Sequence, residues 1–284
     1  MKASHHPYLL SGPALLLYLG LFAAPLFMTF LLSFYSFDFY GGITPGFSWA
    51  NYWEVLRDSY FHEIFFRTFA MALGVTAICV LIGAPEAYIL TRMANPWKSI
   101  FLLVILGPLL ISVVVRTLGW ALLYGRDGPI NQALMGLGLV TEPVSLMFTT
   151  TGVVIALVHV LVPFMVLAVW TALQKVDPAT EKAALALGAS SFTVLRRIVL
   201  PQAMPGILSG SLIVFALAAS AFATPSILGG RRLKVAATAT YDEYLNTLNW
   251  PLGAAIAVVL LIANIAVITA YSRLVERRFA RAFE

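Results

Sequence analysis

Charge is scarce in this sequence. Of 284 residues, 11% are charged and 60% are hydrophobic, whereas an average globular chain carries about 25% charged and about 45–50% apolar residues. So few charges cannot cover a water-soluble surface, which excludes a soluble enzyme, and so apolar a chain is not disordered. Cysteine is nearly missing as well. Cys79 stands alone, so no internal disulfide forms and nothing points to an oxidising compartment. The dipeptide Gly-Lys does not occur, so the phosphate loop G-x-x-x-x-G-K-[ST] is absent and ATP is not held by that route. There is no H-E-x-x-H, and His5, His6, His62 and His159 are scattered, so no metal site is expected. No nucleophile–base pair stands out, and no catalytic residue is assigned. The net charge of +5 raises nucleic acid as a partner, but in so apolar a chain the informative question is which loops hold the positive charges. What remains is an integral membrane protein, either a transporter or a scaffold.

A helix needs roughly 20 apolar residues to cross the hydrocarbon core. Four stretches lack Asp, Glu, Lys and Arg entirely: 3–37, 143–174, 198–230 and 244–272. Two more are interrupted once, 68–91 by Glu86 and 99–124 by Arg116. These runs predict six membrane-spanning helices near residues 8–34, 64–91, 99–124, 149–173, 206–228 and 251–271. A closed β-barrel would show short alternating segments instead. The first run is longer than the apolar core of about 7–15 residues in a cleaved signal peptide, so it is read as a retained helix.

Lys and Arg set the orientation. Eleven of them (Lys2, Arg92, Lys98, Lys175, Lys182, Arg196, Arg197, Arg273, Arg277, Arg278 and Arg281) fall on one side, and five (Arg57, Arg126, Arg231, Arg232 and Lys234) on the other. Both termini are therefore expected in the cytoplasm. Outer loop 38–63 carries Phe39, Tyr40, Trp49, Tyr52 and Trp53, which suit a membrane interface. In outer loop 125–148 the apolar patch 133–140 is too short to span and reads as a re-entrant or interfacial helix.

The cytoplasmic loop 174–205 is the most informative segment. Asp177 suits a helix N-cap with Pro178 at the first helical position, and Glu181 falls near the capping-box position. Gly188 suits a left-handed turn at the end of a short helix. A second helical piece, 193–199, carries Arg196 and Arg197, and Pro201 and Pro205 punctuate the entry to the fifth span. The alanine-rich surface fits a close contact with a partner, and the basic residues fit a lipid surface. On residue chemistry alone the two readings are even.

The pattern Ala183-Ala184-x3-Gly188-x9-Ile198-x-Leu200-Pro201 resembles the signature E-A-A-x3-G-x9-I-x-L-P of the membrane subunits of bacterial ABC importers. One departure stands out: the glutamate position holds Lys182, and the glutamate sits one place earlier, at Glu181. The resemblance continues in Val115-Arg116-Thr117-Leu118-Gly119-Trp120, Gly128-Pro129-Ile130-Asn131, Ala223-Thr224-Pro225 and the run from Trp250 to Ala257, which look like the spermidine/putrescine permease branch.

This resemblance implies an all-α type I importer permease fold. Residues 1–63 would be an N-terminal helix and outer loop, 64–275 a five-helix core, and 276–284 a cytoplasmic tail in a bacterial inner membrane. It implies a second permease subunit, two ATPase subunits that bind the ATP, a periplasmic solute-binding protein and a small solute. The chain itself would be no enzyme and hold no cofactor, and neither nucleic acid nor metal would be bound. Glu181, Lys182, Ala183, Ala184, Gly188, Ile198, Leu200 and Pro201 would couple to the ATPase. Arg116, Trp120, His159, Glu86, Ser220 and Thr224 are candidates for the translocation path or its gate. The small residues of the fifth span, Gly206 and Gly210 among them, fit tight packing or path lining. A proton-coupled secondary transporter using Glu86 and a non-transporting scaffold remain the alternatives.

Overall fold

The computed structural model describes the backbone of residues 6–283 and the side chains of residues 12–274 other than Pro178. The expected side-chain roles of Lys2, Arg277, Arg278 and Arg281 lie outside the described residues. By contacts the chain forms two units, one of residues up to Ile64 with Ala236–Ala263, the other of Phe65–Val235 with the segment from Asn264 on. The sequence division at 63/64 and 275/276 differs from this, because the segment after residue 235 and the first part of the last helix go with the N-terminal unit.

In the first unit α1 (His6–Tyr18) and α2 (Ala24–Leu32) are joined by one wide π-helical turn into a single apolar span, Gly12–Leu32. None of it is buried within the chain, so its sides are free to meet lipid or another subunit. The loop 38–63 is more ordered than its composition suggests. A hairpin of β1 (Ser36–Asp38) and β2 (Gly42–Thr44) is turned by the Asp38 carboxylate, which accepts from the backbone of Tyr40 and Gly41. Helix α3 (Ala50–Arg57) follows. Asn51 donates to the carbonyls of Ser33 and Tyr35, and the Ser33 and Tyr52 hydroxyls lie 2.6 Å apart. Phe34 stacks on Phe47 at 4.7 Å and packs with Tyr52, Ala255 and Val258. Part of the expected interfacial aromatic belt is thus a small core, while Phe39, Tyr40 and Trp53 stay exposed.

Helix α4 (Ser59–Arg92) is the second span. The third is not one helix, as the sequence predicted. Helix α5 (Trp97–Leu106) runs into a tight turn at Gly107–Leu110, and α6 (Val113–Leu123) leaves it at 99°. Pro108 has no amide hydrogen to donate, and Ile111 and Ser112 are extended, so the ladder of helical hydrogen bonds stops there. Helix α7 (Pro129–Gly136) is held by buried Asn131, which donates to the Gly125 and Val144 carbonyls and accepts from the Val144 amide. Helix α8 (Thr150–Leu173) is the fourth span. Short helices α9 (Pro178–Ala186) and α10 (Ser191–Val194) lead through a second π-turn into α11 (Leu200–Ala219).

The fifth span is therefore Ser191–Ala219, shifted from the predicted 206–228. Pro201 sits in the first turn of α11, where an amide hydrogen is dispensable, and the wide turn Leu195–Val199 precedes it. Pro201 and Pro205 thus lie inside the span, where the sequence placed them at its entry. The span stops at Ser220, and Pro225–Gly229 is a separate turn. Helix α12 (Ala236–Leu245) precedes α13 (Trp250–Phe283), whose part Trp250–Leu274 is the last span. Five helices among the described residues are long and apolar enough to cross a membrane, and the bent pair taken as one span gives six.

The core of the second unit is α8 against α11. Met165, Val166 and Val169 meet Ala203, Ile207 and Val214, all buried. A β-carbon on Gly206 would lie 2.7 Å from the Val169 α-carbon, and one on Gly210 2.7 Å from the Met165 sulfur. These two small residues are packing residues, because only a missing side chain lets the helices approach so closely.

Candidate functional site

Two places in the second unit gather the residues singled out from sequence. The first is the projecting pair α9–α10. Asp177 caps α9 by accepting from the Ala179 amide at 2.9 Å, with Pro178 at the first position. Gly188 has φ +86°, the left-handed turn its position demanded. Ser190 caps α10 by accepting from the Thr193 amide. Local chemistry alone thus builds a helix, a sharp turn and a second helix.

The outward side of this pair combines small and apolar residues with one charge, Lys182. Lys182, Ala183 and Gly188 are exposed, and Ala184 is half-buried. At the tip Leu187 is 89% exposed and Phe192 70%. Ile198 is half-buried, and Leu200 and Pro201 are exposed at the base of α11. Leu187 and Phe192 thus make an exposed apolar tip on this pair.

Glu181 departs from its expected place. It is not part of a capping box and does not face outward. It is 9% exposed, paired with Arg92 at the end of α4, and its Oε2 lies 3.4 Å from the Tyr88 hydroxyl. Arg92 also donates to the Tyr88 hydroxyl at 3.3 Å and lies over the Tyr88 ring. Sequence reasoning counted Arg92 only as a loop charge and gave Tyr88 no role. The one available signal was their i, i+4 spacing at the end of a helix.

The second place is a polar cluster on α6. Arg116 is 9% exposed and donates from Nη1 to the Pro108 carbonyl, across the bend of its own span. Its Nε has no partner. Thr117 Oγ1 lies 3.3 Å from Thr224 Oγ1. One turn after Arg116, the Trp120 indole donates to His159 Nδ1 at 3.3 Å and packs against that ring edge to face. His159 is exposed although α8 is otherwise an apolar span. A polar ring in that position faces a path or another subunit more readily than lipid.

The structure brings Arg116, Trp120, His159 and Thr224 into this cluster. Ser220 stays outside it, exposed and bonded to the Ala216 carbonyl at the end of α11. Glu86 is half-buried on α4, and among the described residues no ion pair joins it to Arg116. Sequence reasoning missed Thr117, whose partner Thr224 is 107 residues away, and Pro108, eight residues before Arg116 in the same apolar run. Among the described residues no group of three His, Cys, Asp or Glu side chains is placed to hold a metal ion.

Residues 7–281 match the family described as binding-protein-dependent transport system inner membrane component. The spermidine/putrescine transport system permease protein PotB of Escherichia coli (strain K12) is 31% identical over 235 residues, covering 82% of this chain and 85% of that protein. The molybdenum transport system permease protein ModB of Mycobacterium bovis is 30% identical over 218 residues, covering 77% and 80%. Among solved structures, a bacterial ABC transporter involved in the import of the acidic polysaccharide alginate aligns with a TM-score of 0.77 at 15% identity, over 95% of this chain and 94% of its counterpart. At that identity the likeness is one of fold, and the fold is that of a type I importer permease.

Proposed function

The chain belongs to the family of binding-protein-dependent transport system inner membrane components, and from that premise we propose that it forms half of a translocation path for a small solute. In this reading a periplasmic binding protein delivers the solute, a second permease subunit completes the path, and two separate ATPase subunits bind and hydrolyse the ATP. The solute class we favour is a polyamine or related amino compound, on the likeness to PotB. The likeness to ModB, whose name carries a metal, keeps the solute a separate question from the fold.

The observation that carries the coupling role is the bare tip of α9–α10. Leu187 and Phe192 project from a capped, sharply turned helix pair, with exposed Ala183 beside them. Burying a leucine or phenylalanine side chain contributes about 1.5–3 kcal/mol, so this tip gains most when seated in an apolar groove. Lys182 adds a positive charge at the edge, where Glu181 does not reach. In this proposal both termini and the α9–α10 tip are cytoplasmic, and the Arg116 cluster lies on the path side of α6. ATP-driven approach of the two tips would tilt the spans and change access to the path, since each ligand must bind one state better than the other.

Leu187→Cys in a Cys79→Ala background tests this. A short bifunctional thiol reagent should join it to a cysteine placed around the docking groove of the co-expressed ATPase subunit, and ATP should change the yield. No cross-link at any groove position, with the complex still assembled, would overturn the docking role.

A further inference from the structure

We propose that Glu181, Arg92 and Tyr88 form a tie that makes α9 move together with α4, so that the glutamate of the signature works inside its own subunit. The inference rests on the permease reading above. One residue along an α-helix is a rotation of about 100°. Moving the carboxylate from position 182 to 181 therefore turns it from the outward side, where exposed Lys182 now stands, to the inward side facing α4. There it meets a guanidinium in the last turn of α4, where the carbonyl end of the helix also favours a cation.

The three groups close a ring of contacts. Arg92 pairs with Glu181 and donates to the Tyr88 hydroxyl, and that hydroxyl donates to Glu181 Oε2. Between α4 and the stretch leading into α11 lies an apolar cavity of about 650 Å³, with Ala84, Pro85 and Tyr88 on one wall and Phe192, Leu195 and Ala203 on the other. Helix α9 is also flanked by turns, the capped start at Asp177 and the left-handed Gly188. Such a helix would swing on its turns when pushed at its tip. The ion pair fixes it to a span of 34 residues: Arg92 is 42% exposed but the carboxylate is buried, and separating the two leaves that carboxylate without its charged partner. Glu181, Arg92 and Tyr88 are positioning residues, and none of them needs to touch solute or nucleotide.

The test uses the complete complex in nanodiscs: both permease chains, the ATPase subunits, and the cognate binding protein purified with its native solute. Glu181→Gln and Arg92→Gln should each keep the ATPase subunits bound. Each should lower the ratio of stimulated to basal ATP hydrolysis by about tenfold, within the usual span of coupling between sites. The exchanged double variant Glu181→Arg/Arg92→Glu should recover most of the ratio, a rescue that no loss of folding produces. Wild-type stimulation with unaffected single variants would overturn the tie alone. So would a double variant no better than the singles, or loss of the ATPase from Glu181→Gln but not from Arg92→Gln. A wild-type complex that shows no stimulation would overturn the permease reading and the tie with it.

Discussion

Arg116→Met removes a guanidinium from the bend of the third span and keeps most of the side-chain bulk. The lost contact is the bond from Nη1 to the Pro108 carbonyl, an acceptor at the end of a helix that stops before a 99° turn. A hydrogen bond to a charged group contributes about 1.5–3 kcal/mol, and about 2 kcal/mol corresponds to roughly 30-fold in an equilibrium. The same substitution relieves the cost of a buried charge whose Nε has no partner. Overall stability is therefore a poor gauge, because the two effects oppose each other. The bend itself is the quantity to follow. Ser112, exposed at the break, can be changed to cysteine in a Cys79→Ala background and its labelling rate by a small maleimide measured in membranes. Arg116→Met should change that rate by about tenfold or more and lower the stimulation of ATP hydrolysis by loaded binding protein. Arg116→Lys, which keeps a charged donor, should recover part of both. Labelling and stimulation within twofold of wild type in Arg116→Met would refute the role of Arg116 at the bend.

Gly188→Val should abolish transport while the protein still reaches the membrane. A β-branched residue at φ +86° costs about 1–2 kcal/mol in backbone strain alone, and normal transport by this variant would contradict the turn. Gly206→Val should lower the detergent melting temperature more than Ser209→Val, which changes an exposed position one turn along the same helix. Overpacking costs about 1–3 kcal/mol, and equal melting temperatures would contradict the α8–α11 crossing. Single cysteines at Ser4 and Ala282, with Cys79→Ala, should resist a membrane-impermeant thiol reagent added to spheroplasts. Labelling of either from outside would reject the cytoplasmic placement of the termini.

The spans that sequence located best are those whose ends coincide with charges or caps. The second to Arg92, the fourth from Thr150 to Leu173 and the last from Trp250 all lie within a few residues of expectation, because long uncharged runs leave a helix no other way to satisfy its backbone in lipid. The bend at Gly107-Pro108 was missed although Pro108 within the run marks a break in a helix; only its angle, 99°, is set by packing that composition does not carry. Pro201 and Pro205 were read as marking the entry to the fifth span, but the span already begins at Ser191 and passes through the wide turn Leu195–Val199 before reaching them. In the α9 segment Asp177, Pro178 and Gly188 act through their own backbone neighbours, so their roles were visible in order. Glu181 acts on a residue 89 positions away, and Trp120 on one 39 positions away. Pairings at that separation are set by how helices pack, which local spacing does not encode.

The most direct measurement is solute accumulation by the reconstituted complex: this chain with its second permease, its ATPase subunits and binding protein loaded with its native solute. ATP enclosed with the ATPase subunits should drive accumulation, and an imposed proton gradient without ATP should not. Accumulation driven by the proton gradient alone, and abolished by Glu86→Gln, would contradict the reading of this chain as an ATP-coupled permease.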